Sequence, residues 1–213
     1  MSNYTIDANA ARAADQINSR ISETGKYVGV LTRAEEVKSK KGTIGVEFSF
    51  KADDGQTADY LTTWTRNTDG KVLYGFKQLM AVMACCKVRN ITATPGQVEK
   101  YDRDAGAVAK MPATIYPELT GKRIGLLLQV EEYARNDGSI GEKMAIAGAF
   151  EADTEFTPSE IMDKATKPEK LARMVSALKD RRLSSSTSAA PAGNYSAPAQ
   201  SGGFAPDMED CPF

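Results

Sequence analysis

Tyr60, Thr62, Trp64 and Arg66 fall on alternate positions of residues 57–66, a run rich in Thr and aromatic residues. On an extended strand, alternate residues share one face, so this spacing lines up two rings, a hydroxyl and a guanidinium. Such a surface can stack on flat π systems while its cation attracts anions, a combination worth roughly 1–3 kcal/mol per stacked base where nucleobases are the ligand. Phe48 and Phe50 on the preceding run can fill the core, which points Tyr60 and Trp64 outward. The alternative is that the only Trp of the chain is itself a core residue, as a large ring usually is. Cations cluster in two turns: Lys38, Lys40 and Lys41 in one, Arg135 and then Lys143 around the other. They suit phosphate contact, although Lys-rich turns are often merely solvated. Tyr27, Tyr74 and Tyr133 are further aromatic candidates.

Signatures of catalysis are absent from the sequence. There is no Gly-rich loop ending in Lys-Ser or Lys-Thr to cradle a phosphate, no histidine to act as base, and Asp53-Asp54 precedes Gly55 in what reads as a hairpin turn. A metal-dependent nuclease built on scattered Asp and Glu is the residual enzymatic alternative. Three cysteines, two of them adjacent at Cys85-Cys86, make no disulfide framework, and without His the mixed zinc sites are unavailable. A structural role inside a helix is expected for the pair, with no cofactor and no metal.

The elements that would position these residues begin after an Ala-rich segment, residues 1–24, whose Ala10, Ala13, Ile17 and Ile21 have roughly helical spacing and read as a short helix or arm. Residues 27–37 are strand-like, with a bend at Gly29. Ser39 to Gly42 form a turn, and Ile44, Val46, Phe48 and Phe50 alternate with Gly45, Glu47, Ser49 and Lys51 as a half-buried strand. The third strand, residues 57–66, follows the Asp53-Asp54-Gly55 turn. Val72, Phe76, Leu79, Met83 and Cys86 then recur at steps of four and three, one stripe of a helix. Residues 90–118, with three prolines and two glycines, read as a long excursion of loop or short elements. Alternation returns at Ile124, Leu126, Leu128 and Val130, and Asn136-Asp137-Gly138 turns the chain into a last strand near residues 143–150. The order is three strands, a helix and two strands, which fits either the five-stranded Greek-key barrel of the OB-fold or an unrelated three-plus-two α+β sheet.

Beyond residue 150, Thr157-Pro158-Ser159-Glu160 is a capping box with Pro at the first helical position. A second helix from Pro168 presents Leu171, Met174, Val175 and Leu178 on one face, with Lys179, Arg181 and Arg182 at its C-terminal end. That face should dock on the strands or on another copy of the chain in a homo-oligomer. Residues 184–206 are Ser, Ala, Pro, Gly and Gln with little to bury, a flexible linker. The chain holds 27 Lys and Arg against 28 Asp and Glu; three of those acids and no cation follow Leu183, so residues 1–182 are basic by two charges and the tail is acidic.

That tail, residues 207–213, carries Asp207, Glu209, Asp210, Pro212 and Phe213. An apolar ring beside a carboxylate suits a small pocket with a basic rim, and the acids steer encounter. The acidic run closed by Pro-Phe resembles the tip of bacterial and phage single-stranded-DNA-binding proteins, with Cys211 where many tips have an aliphatic residue and Met208 interrupting the acids. Gly25-Lys26-Tyr27 and the hairpin into Thr62-Thr63-Trp64 are similar to phage members of that group. The resemblance implies a mainly β fold, with residues 25–150 an OB-fold (a helix between strands three and four) for single-stranded DNA. It implies a helical extension over 151–183, a linker over 184–206 and a docking tip over 207–213. Its loops between strands one and two and between strands four and five would grip the ligand. The implied partners are single-stranded DNA and host or phage replication and recombination proteins, in the cytoplasm of a bacterial host. No apolar run is long enough to cross a bilayer and no secretory block opens the sequence, so a soluble, intracellular protein without a membrane partner is expected. A non-DNA adaptor or scaffold using the tip alone, and a recombination annealing protein, are the competing readings.

Overall fold

A computed structural model of the chain describes residues 20–102, 106–135 and 137–183. It is mainly β: β1 (Gly25–Lys38), β2 (Ile44–Ala52), β3 (Thr57–Arg66), the helix α1 (Tyr74–Cys85), β4 (Thr94–Asp102), β5 (Ala107–Ile115), β6 (Arg123–Ala134), β7 (Ile140–Phe150), and two short helices, α2 (Pro158–Met162) and α3 (Lys170–Ala177). All strand pairings are antiparallel: β1 with β2, β5 and β6, β2 with β3, β4 with β5, and β6 with β7.

β1 is the strand that turns a sheet into a barrel wall. Its first half, Gly25 to Val30, pairs with β6, and the stretch from Gly29 onward pairs with β2. Gly29 faces Ala52 on one side and Ile124 on the other. A Cβ there would lie 2.1 Å from the Lys51 carbonyl oxygen, so only glycine lets β2 close in where β1 is paired on both sides. The irregularity of β1 falls two to four residues later, between Leu31 and Arg33. Phe48, Phe50, Leu31, Leu61, Ile124, Leu126 and Leu128 are almost fully buried inside, and α1 closes the core with Leu79, Val82 and Met83. Each large side chain so buried contributes about 1.5–3 kcal/mol. With α1 between the third and fourth strands of the set β1, β2, β3, β6 and β7, this is an OB-type fold. Among the described residues no ladder joins β3 to β7, so the sheet stays open on that side.

Residues 90–118, which the sequence suggests are loop or short elements, hold one regular hairpin. β4 and β5 form a nine-pair hairpin from Thr94↔Ile115 to Asp102↔Ala107. It joins the sheet at Glu35↔Ile115, and β4 is the edge strand, which accommodates Pro95. Most of β5 is exposed, so neither face needed the apolar alternation that betrays a strand. The helix prediction is also shifted in part: Val72 lies before α1 and is half exposed, while Val82 and Gly75 are buried. Arg20 to Thr24 are not helical; Arg20 bridges to Thr57, and Ile21 is buried with its N–H on the Thr57 carbonyl at 2.8 Å. Residues 1–19 lie outside the described residues.

The capping box forms: the Thr157 N–H and hydroxyl donate to Glu160 Oε2 at 2.8 and 2.6 Å. Glu160 Oε1 then accepts from the Glu169 and Lys170 N–H groups at 2.7 and 2.8 Å, so one carboxylate ties α2 to the start of α3. Leu171, Met174, Val175 and Leu178 dock on Leu127 and Phe150, covering the outside of β6 and β7. α3 ends at Ala177 and Leu178 is extended, so Lys179, Arg181 and Arg182 are not its last turn. Arg181 instead bridges in parallel to Glu131 of β6. Cys85 and Cys86 are free and buried at the end of α1, and burial pushes both thiols up to about 12.

Candidate nucleic-acid interface

β3 sends Leu61, Thr63 and Thr65 into the core, which obliges Thr62, Trp64 and Arg66 to face outward. Trp64 is 37% exposed and Tyr60 49%. Tyr60 stands where the β2–β3 register slips between Phe48 and Phe50, and its φ of 61° is a bulge conformation that L residues rarely take. The Arg33 guanidinium lies 5.7 Å from the Tyr60 ring centroid, bracing its inner side. Arg66 is similarly placed, 5.9 Å from the Phe76 ring.

The open side between β3 and β7 is a cleft of about 720 Å³. Trp64 and Tyr74 form its aromatic part, while Gln129, Glu131, Lys143 and Arg181 supply polar groups. Tyr74, the first residue of α1, is 71% exposed. The helix approaches closely enough to form the cleft because residue 75 is glycine: a Cβ there would lie 2.3 Å from the Trp64 carbonyl oxygen. Lys143 and Arg181 each reach Glu131, at 3.2 Å in both cases. Among the described residues no group of three or more metal-ligating side chains converges.

Of the sequence candidates, Trp64, Tyr74 and Lys143 therefore meet in one cleft, with Tyr60 and Arg66 on the same face of β3. Lys38, Lys40 and Lys41 are exposed at the β1–β2 turn, where the Thr68 hydroxyl donates to the Lys41 carbonyl at 2.6 Å. Gly45, just past that turn, is the cross-strand partner of Trp64. Because β6 runs antiparallel to β1, the β6–β7 turn carrying Arg135 leaves from the end where β1 begins. The two basic turns thus sit at opposite ends of β1, one toward Trp64 and the other toward Lys143. Tyr133 is 40% exposed beside Gly141 and Arg135, away from the cleft lining. Tyr27 is half-buried against the core and donates to the Glu23 carbonyl at 2.9 Å; burial raises its pKa. It has the surroundings of a packing residue rather than a platform.

Arg33, Gln129, Glu131 and Arg181 were not among the candidates. Arg181 falls in a basic run that reads as a helix end, and only the extended backbone at Leu178 carries it to the cleft. Arg33 lies in a β1 stretch of mixed charge, with Glu35, Glu36 and Lys38 following it and no aromatic residue among them. The acidic segment, residues 207–213, with Asp207, Glu209, Asp210, Pro212 and Phe213, lies outside the described residues, as does the linker. No helix is long and apolar enough to cross a membrane among the described residues. No protein-family model matches the chain, and no curated protein matches it significantly.

Proposed function

We propose that this chain binds single-stranded DNA without strong sequence preference, covering strands exposed during replication and recombination. Residues 207–213 recruit replication proteins, and the setting is a phage protein acting in the cytoplasm of a bacterial host. The observation that carries the reading is the exposure of Trp64 on the outward face of β3, in a cleft with Tyr74 and Lys143. An exposed Trp costs apolar burial, and a sequence-tolerant strand binder is the kind of protein that uses it, because every base offers a π face. The open β3–β7 side supports the reading further, since it leaves room along the sheet for an extended strand. Trp64 is the only Trp, so its emission reports directly on the cleft. Adding oligo(dT) at low salt should quench or shift that emission saturably. An unchanged spectrum, together with no mobility shift of the labelled oligonucleotide, overturns the proposal.

A further inference from the structure

Glu131 stands in the middle of a three-strand row. Its cross-strand partner on β7 is Lys143, and on its other side the parallel bridge places Arg181. Backbone hydrogen bonds hold that third member: Arg181 N–H to the Val130 carbonyl at 2.8 Å, and Glu132 N–H to the Arg181 carbonyl at 3.0 Å. The two carboxylate oxygens are shared out, Oε2 to Lys143 Nζ and Oε1 to Arg181 Nη1. The row lines the same cleft as Trp64. The cations are well exposed, with 52% and 71% of their side chains accessible, whereas the Glu131 side chain is 22% exposed. Two cations on separately anchored backbones, facing one pair of oxygens beside an aromatic ring, make a seat for a tetrahedral anion. The carboxylate occupies it.

We infer that Lys143 and Arg181 form a phosphate seat at the mouth of the cleft and that Glu131 is its built-in competitor. The ligand is a phosphodiester of a strand whose base stacks at Trp64. This rests on the single-stranded-DNA reading and adds two groups to it: Arg181 as a phosphate ligand, and Glu131 as the residue that weakens the seat. The competitor lets a strand leave the cleft by exchanging one anion for another, with no bare cation pair left behind.

Glu131→Gln keeps the side chain's shape and removes the competing charge. It should raise affinity for oligo(dT) two- to fivefold at low salt, the equivalent of one surface ion pair. One more phosphate would then be neutralised, so the plot of log affinity against log salt should steepen by about 0.7. Glu142→Gln makes the same change in net charge on the opposite face of the β6–β7 hairpin and should leave the slope unaltered. In a Lys143→Gln/Arg181→Gln background, Glu131→Gln should give no gain. Melting curves establish that each variant is folded, and Glu131→Ala repeats the test should the Gln variant not be. If the wild type binds oligo(dT) but Glu131→Gln changes neither affinity nor slope, or if Glu142→Gln gives an equal gain, the seat is wrong and the DNA reading stands. If the wild type does not bind at low salt, the DNA reading falls and the seat with it.

Discussion

Trp64 is half offered to solvent by its neighbours rather than by its own preference. Leu61, Thr63 and Thr65 claim the inner face of β3, and Thr63 and Thr65 find partners there in the Val46 and Ile44 carbonyls at 3.2 and 3.1 Å. Period-two alternation then leaves Trp64 no route inward, but a strand that alternates Thr with aromatic residues does not itself say which face is the core, so both directions stay open in the sequence. Trp64→Ala should reduce oligo(dT) affinity by about 1–3 kcal/mol in fluorescence anisotropy while leaving far-UV circular dichroism unchanged. Equal affinity in a folded variant would remove the ring from the site. Gly75 is less legible still, because nothing in the helical stripe marks it as the point of closest approach. Gly75→Ala puts a methyl against the Trp64 backbone, and the overpacking should cost about 1–3 kcal/mol in urea denaturation even though alanine is the better helix former.

At the level of elements, the strands that alternate visibly are those that send a row of large apolar side chains into the core, and the β4–β5 hairpin carries no such row because its fastening is ionic. Lys100 of β4 reaches the buried Glu35 of β1 at 2.6 Å and Glu47 of β2 at 3.6 Å, and Arg33 contacts the same two carboxylates at 3.3 and 3.0 Å. Glu35 is 2% exposed. Charges scattered over β1, β2 and β4 carry no period, so no pattern in the chain announces that they meet. Lys100→Met leaves Glu35 with Arg33 alone. The cost should lie between the ~1 kcal/mol of a surface pair and the ~3–5 kcal/mol of a broken buried one. Hydrogen exchange should show the loss in residues 94–115 before the barrel core. The α2–α3 junction, by contrast, is written into the sequence as a capping box, although its second role as tie to α3 is not. Hydrogen bonds from Thr157, then from the Glu169 and Lys170 N–H groups, hold the Glu160 carboxyl at about 2, against an ordinary 4.5. A depressed carboxyl stabilises the fold above its unfolded value and loses that contribution as pH falls through the folded one. The melting temperatures of wild type and Glu160→Gln should therefore differ at pH 6 and converge between pH 4.5 and 2.

Over the whole molecule, the order of strands and helix narrows the fold to an OB-type barrel or a three-plus-two α+β sheet, and the pairing of β1 with both β2 and β6 decides for the former, but the site is assembled from segments far apart in sequence. β3, the start of α1, β6, β7 and the segment after α3 all line the cleft; β3, Tyr74 of α1 and Lys143 of β7 are marked by residue type, whereas Gln129 and Glu131 of β6 and Arg181 after α3 are not. The same distribution governs charge. Lys38, Lys40 and Lys41 project from the β1–β2 turn with no ion pair among the described residues, while Lys143 is already engaged by Glu131. A cation that must first leave a carboxylate returns less free energy on meeting a phosphate than a solvated one does. Neutralising Lys40 and Lys41 together should thus lower the slope of log affinity against log salt by about 1.4, at 0.7 per contact. Lys143→Gln should lower it by much less than 0.7, because in the wild type Glu131 holds the ammonium through most of the binding equilibrium. Oligo(dT) titrations across a salt series measure both. Equal slope changes per charge would mean that Lys143 is as free as the turn lysines and that its ion pair with Glu131 has no weight in solution.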